Sequence, residues 1–196
     1  MTLAIAKKMT FEEFLNYDDG TDTLYELENG KLIPVSSESD INQRIAMFLV
    51  AYFLMRGIPS YRIRMKAEVA VNSGQLGVRV PDLVVYSEEL AIAMSGASRS
   101  LVFMDMPPLL VVEVVSPNQA SRDYRYKRSE YAARGIAEYW IVDLIAQKVT
   151  VFEWVEGFYE EKIYGGDQAI ASPIFAKVLF ANLELTAAEI LQITKN

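Results

Sequence analysis

The sequence predicts an α/β (α+β) domain built round a strand–helix–strand unit, with β-hairpins added near both ends. Three observations carry this. Leu109-Leu110-Val111-Val112-Glu113-Val114-Val115 is apolar on both faces, as in a central strand covered by helices on each side. It is followed by the helix-rich stretch Ser121 to Arg134, closed at Gly135, and then by the strand-type run Glu138-Tyr139-Trp140-Ile141-Val142-Asp143, which a right-handed crossover joins to the first strand. Near the start, Leu24–Leu27 and Lys31–Val35 flank Glu28-Asn29-Gly30, and Asn-Gly tolerates the positive φ angles of a two-residue hairpin turn.

The remaining elements follow in order. Thr10 and Glu13 fit a capping box that opens a short helix from Thr10 to Tyr17. Ser36 to Asp40 is polar and rich in capping residues. Apolar residues then crowd every face from Ile41 to Met55 until Gly57-Ile58-Pro59 stops the helix, so this helix is expected to be covered by the sheet and by a second subunit. Tyr61 to Val71 alternates, which predicts one strand with Arg62, Arg64, Lys66 and Glu68 on a polar face. Val80 to Tyr86 is a further strand, and Ser87 to Asp105 an irregular excursion. Lys148–Val155, Phe158–Tyr164 and Ile174–Leu185 read as β-hairpin strands before a closing helix at Ala187–Gln192.

Composition removes several chemistries. The 196 residues suit one domain, 1–196, with no linker. Without histidine or cysteine there is no Ser-His-Asp triad, no Cys-His pair, no thiol redox site and no ordinary zinc site. A metal must therefore be held by oxygen, which favours Mg²⁺, Mn²⁺ or Ca²⁺. The start Met1–Lys8 lacks the apolar stretch of a secretory signal, and the 11-residue apolar run Ile45–Met55 falls short of the about 18 that span a bilayer. A cytoplasmic protein with no membrane partner is expected. The net charge of −7 argues against general adhesion to nucleic acid while leaving room for a local basic groove.

Glu113 is a carboxylate inside a run of otherwise apolar strand residues, where an unpaired charge costs several kcal/mol, on the order of a lost buried ion pair. A structural salt bridge or a sheet edge would explain it; so would a functional site. Asp82, after Pro81, opens another apolar strand, and two neighbouring carboxylates repel unless a divalent cation lies between them. Read alone, Asp82 is equally a turn residue. Val115 shares the face of Glu113 but cannot supply a lysine there. Asp123, Lys127 and Tyr131 repeat at i, i+4 and i+8, so Lys127 is placed to reach back over the strand end, or to form only a surface pair with Asp123. Glu26 adds a third carboxylate, or an exposed strand residue. Arg62, Arg64 and Lys66, with Arg122, Arg125, Lys127 and Arg128, form two clusters that a phosphate-lined groove would use, or two solvated faces.

The ordered set Pro81-Asp82, Glu113-Val114-Val115-Ser116-Pro117, Asp123, Lys127, Tyr131, Gly135 and Glu138-Tyr139-Trp140-Ile141-Val142-Asp143 resembles the Uma family of restriction-endonuclease-like proteins, within the superfamily named for the PD-(D/E)xK motif. The resemblance extends to Tyr25-Glu26-Leu27, Gly30, Gly166-Asp167 and Leu183-Glu184-Leu185. It implies a restriction-endonuclease-like core, a mixed central sheet flanked by helices. Asp82, Glu113 and the Val114 carbonyl would hold Mg²⁺ or Mn²⁺. Lys127 would replace the motif lysine, moved from the strand to the next helix, with Glu26 and Tyr131 as accessory catalytic residues. The implied chemistry is phosphodiester hydrolysis of nucleic acid, DNA foremost. A homodimer is expected because two-fold symmetry presents two sites to the two strands of a duplex and the apolar excess needs covering. Two departures stand out: Val115 occupies the motif lysine's strand position, and Asn42 stands near where many relatives carry a histidine. A nuclease-fold module that only binds a nucleic-acid or protein partner, and a hydrolase of small phosphodiesters with a closed pocket, are the competing expectations.

Overall fold

The computed structural model describes residues 8–35, 39–72, 74–116, 120–177 and 183–195. In chain order the elements are α1 (Phe11–Leu15), β1 (Tyr25–Glu28), β2 (Lys31–Pro34), α2 (Asp40–Met55), β3 (Ile63–Met65), β4 (Glu68–Asn72), β5 (Leu76–Arg79), β6 (Leu83–Val85), α3 (Glu88–Ala93), β7 (Leu101–Val102), β8 (Leu110–Val114), a π-helical segment (Arg122–Lys127), α4 (Arg128–Arg134), β9 (Glu138–Asp143), β10 (Lys148–Val155), β11 (Phe158–Tyr164), α5 (Pro173–Lys177) and α6 (Ala187–Leu191). No helix among the described residues is long and apolar enough to cross a membrane.

The strands form two sheets, in the orders β2-β1-β5-β4-β7 and β11-β10-β9-β8-β6-β3. Both are mixed, since β4 runs parallel to β7 and β8 parallel to β9 while their other neighbours are antiparallel. The strand–helix–strand unit of the sequence is present: all of β8 is buried, and Glu113 lies in register with Ile141 of β9. Ile45, Leu49 and Phe53 of α2 pack with Leu83, Leu110, Val112 and Trp140 on one face of the larger sheet. On the other face Tyr131 of α4 joins Val111, Tyr139 and Ile141 to Val69 and Val71 of the smaller sheet, so one apolar cluster binds the two sheets together. Met47, Leu54 and Met55 of α2 remain exposed.

Three sequence expectations are corrected. Tyr61–Val71 is not one strand, because Lys66 takes a left-handed conformation (φ 54°) that ends β3 in the larger sheet and lets β4 start in the smaller. Glu68 is accordingly buried, accepts from Arg99 Nε and Nη2 at 2.6 and 2.7 Å, and does not share a solvated face with Arg64. Ser121–Arg134 is helical, but its first part is wound as the wider π-helix. Ile174 opens no hairpin: Pro173–Lys177 is helical because the Glu138 carboxylate accepts from Ile174 N (3.1 Å) and the Ser172 hydroxyl from Phe175 N (3.3 Å), capping that turn. The rest of that expected hairpin, 178–182, and the expected stretch 36–38 lie outside the described residues. The excursion 87–105 contains α3 and β7.

Gly77 of β5 shows how tightly the smaller sheet closes. A Cβ there would stand 2.6 Å from the Leu27 carbonyl oxygen of β1, a contact that backbone cannot relieve cheaply. Gly77→Ala is expected to lower stability by about 1–3 kcal/mol in urea unfolding. Gly165→Ala, whose nearest neighbour would be 3.7 Å away, should change it by less than about 0.5 kcal/mol. Equal effects of the two substitutions would contradict the packing described.

Candidate active site

The site lies where the two sheets meet. The chain leaves the smaller sheet at Arg79, passes through Val80 and Pro81, and enters the larger sheet at Leu83, so Asp82 occupies the crossing itself. Its Oδ2 accepts from Val114 N at 2.6 Å, which ties the crossing to the end of β8, and its Oδ1 pairs with Lys66 Nζ at 2.5 Å. Glu113 of β8 points from the neighbouring position toward the helical layer. Its Oε1 meets Lys127 Nζ at 2.8 Å and the Tyr131 hydroxyl at 3.0 Å.

Lys127 is buried, and its ammonium also lies 3.1 Å from Asp123 Oδ1 and 3.9 Å from Glu26 Oε1. Asp123 thus meets the ammonium as a close, buried ion pair four residues away on the same helical segment. The π-helical winding carries Asp123 and Lys127, and Tyr131 follows one turn later on the same buried stripe. Short π segments recur at functional sites. The stripe read from the sequence is therefore real, and its surface-pair alternative is not.

Burial pushes the Glu113 carboxyl up to about 8; Lys127 opposes the shift, while Asp123, Asp82 and Glu26 add to it. Burial likewise raises Asp123. For Lys127, burial disfavours the charge, but Glu113, Glu26 and Asp123 outweigh it and hold the ammonium well above the ordinary lysine range. Burial and the Glu113 charge raise the Tyr131 phenol far above its usual value, so it remains a neutral donor to Glu113.

Arg79 supports this acidic centre and escaped the sequence reading. Its guanidinium is buried, holds Glu130 through Nε and Nη2 (2.6 and 2.8 Å), and reaches Glu26 (3.0 Å) and Glu28 (2.6 Å) through Nη1. Arg122 adds contacts to Glu26 (2.5 Å) and Glu28 (2.7 Å), and Val80 N donates to Glu26 Oε1 at 3.1 Å. Burial works against ionised Glu26, but Lys127, Arg79 and Arg122 prevail and lower its pKa. The available signal for Arg79 is a charge set between Val78 and Val80, at the end of a strand that the alternation pattern does not mark.

Of the two basic clusters, Lys66, Arg122 and Lys127 border one cleft, and Arg62, Arg64, Arg125 and Arg128 do not. Arg62 donates to the Tyr86 carbonyl, Arg64 stacks on the Tyr86 ring, Arg128 covers Phe152 and pairs with Glu161, and Arg122 and Lys127 serve the acidic centre. Arg125 is exposed. Asn42 Nδ2 donates to the Val114 carbonyl (3.2 Å) and to Ser116 Oγ (3.0 Å).

Asp82, Glu113, Lys127 and the Val114 main chain border one cleft of about 100 Å³. Among the described residues no three acidic side chains converge as a closed metal cage. The donors are nevertheless all oxygen, Glu113 is a carboxyl short of positive charge, and Mg²⁺ is commonly held by one or two carboxylates with water and phosphate completing its shell. The residues fit such an ion.

The same architecture is found in a solved structure described as a "putative nuclease" from Anabaena variabilis ATCC 29413. The two agree with a TM-score of 0.74 at 19% sequence identity, over 94% of this chain and 98% of that one. The two chains thus share one fold. The family model Uma2, described as "Putative restriction endonuclease", matches residues 11–185, and the chain belongs to that family. No curated protein matches the chain.

Removing Arg79 strands Glu26 and Glu130 without their buried partner. Arg79→Met is expected to cost about 3–5 kcal/mol of stability in denaturant titration. A cost below 1 kcal/mol, on the scale of a surface pair, would show that the network does not hold the site together.

Proposed function

We propose that the protein is an endonuclease dependent on Mg²⁺ or Mn²⁺ that hydrolyses phosphodiester bonds in nucleic acid, DNA foremost, through a PD-(D/E)xK-type site whose lysine has moved to the following helix. The observation that carries this is the Lys127 ammonium 2.8 Å from Glu113, beside Asp82 bonded to Val114 N. Two carboxylates and an ammonium side by side support that reading, with Val115 buried among apolar side chains and contributing no charge. Asp82, Glu113 and the Val114 carbonyl would hold the cation. When bound, the cation supplies a polarised water and neutralises charge that develops on the phosphoryl group.

The chain's own residues do the rest. Lys127 keeps its proton because three carboxylates surround it, so it holds the attacking water or the phosphoryl oxygen as a fixed positive charge. Tyr131 fixes the Glu113 carboxyl by donating to Oε1. Glu26, held by Arg79 and Arg122, orients Lys127 from the opposite side. Asn42 donates to the Val114 carbonyl and so sets its orientation, a task that needs a donor but not an imidazole. The cleft is far smaller than the about 300 Å³ of ordinary closed ligand pockets. A phosphate of a polymer lying across its mouth suits it better than a whole enclosed nucleotide. The exposed Met47, Leu54 and Met55 on α2 offer apolar surface to a second copy, in keeping with a homodimer that meets both strands of a duplex.

Supercoiled plasmid and single-stranded DNA incubated with Mn²⁺, Mg²⁺ or EDTA test this reading. Metal-dependent cutting should fall by about a hundredfold or more in Asp82→Asn and in Lys127→Met. Equal cutting by folded wild type and both variants, or none by wild type, would contradict it and favour a nuclease-fold binding module.

A further inference from the structure

The lysine that interrupts the basic strand, Lys66, sits at the second crossing between the sheets. The chain passes from β3 of the larger sheet to β4 of the smaller there, and the two crossings lie side by side, with Lys66 N donating to the Asp82 carbonyl oxygen at 3.4 Å. Among the described residues three other non-glycine residues have positive φ, namely Asn29, Gln147 and Glu156, and all three close turns between paired strands. Lys66 closes no hairpin. A left-handed conformation is costlier for lysine than for glycine, and such residues collect at functional sites where surroundings hold them. Here the outcome of the conformation is the 2.5 Å contact between Nζ and Asp82 Oδ1.

The two ammonium groups of the cleft differ in kind. Lys127 has a side chain 6% exposed and is engaged by three carboxylates, whereas the Lys66 side chain is 23% exposed and reaches the mouth of the cleft. Asp82 differs across its two oxygens in the same way. Oδ2 is committed to Val114 N, and Oδ1 faces the lysine.

We infer that Lys66 is a tethered counter-cation of Asp82, which yields Oδ1 when a divalent metal is bound and then places its ammonium on a non-bridging oxygen of the substrate phosphate. This rests on the metal-dependent reading above and assigns that site its phosphate-binding residue. A lysine suits the exchange because its compact charge on a long flexible stem can shift by a few ångströms without moving the backbone.

Mn²⁺ titration followed by electron paramagnetic resonance, paired with plasmid cleavage at saturating Mn²⁺, tests it on wild type, Lys66→Met, Lys66→Gly and Asp82→Asn. Both Lys66 variants should bind Mn²⁺ about three- to fivefold more tightly, since a partly exposed competing ion pair is gone. Both should cleave about a hundredfold more slowly once loaded, since a phosphate contact is gone. Lys66→Gly also relaxes the left-handed backbone, so a poorly folded Lys66→Met would not stall the test. A purely structural role would alter thermal stability without tightening Mn²⁺. If Mn²⁺ binding is abolished by Asp82→Asn yet unchanged or weaker in the Lys66 variants, or if those variants cleave as wild type does, the role of Lys66 is overturned while the metal site stands. If wild type binds no Mn²⁺ that depends on Asp82, both fall.

Discussion

One ammonium, that of Lys127, lies buried among Glu113, Asp123 and Glu26, and the geometry of the domain is arranged about that charge. Each acid comes from a different part of the fold: Glu26 from the smaller sheet, Glu113 from the centre of the larger one, Asp123 from the π-helical segment between them. Charges removed from water are tolerated only when paired and hydrogen-bonded, so the cluster holds together only if both sheets and the helix dock in one way. Arg79 extends the same constraint outward by clamping Glu130 of α4 to Glu26 and Glu28 of β1.

The apolar packing supplies cohesion, and the charges supply register. Tyr131 serves both, since its ring joins the cluster that binds the two sheets and its hydroxyl donates to Glu113. Placing Asp82 at a chain crossing, where the chain leaves one sheet for the other, keeps it beside the end of β8 and at the edge of that packing.

Much of this was legible in the sequence because burial and charge conflict visibly. Glu113 in an apolar strand, Asp82 after Pro81, and the i, i+4, i+8 stripe of Asp123, Lys127 and Tyr131 all mark charged or polar groups that need buried partners, and all are brought together. The break at Lys66 was not legible, because alternation assigns residues to faces but is silent on which sheet a segment joins, and no glycine or proline marks the turn. Arg79 was hidden because it ends a strand of the smaller sheet, Leu76–Arg79, whose short run of Leu, Gly and Val gives no clear alternation. The helix Pro173–Lys177 depends on a cap from Glu138, distant in sequence, which no local pattern discloses.

The most direct test of the central claim is an anomalous-difference map at the manganese edge from crystals grown with Mn²⁺. The account predicts a peak bounded by the Asp82 and Glu113 carboxylates and the Val114 carbonyl. A map with no peak there, with Lys66 still seated on Asp82 at saturating Mn²⁺, would contradict it.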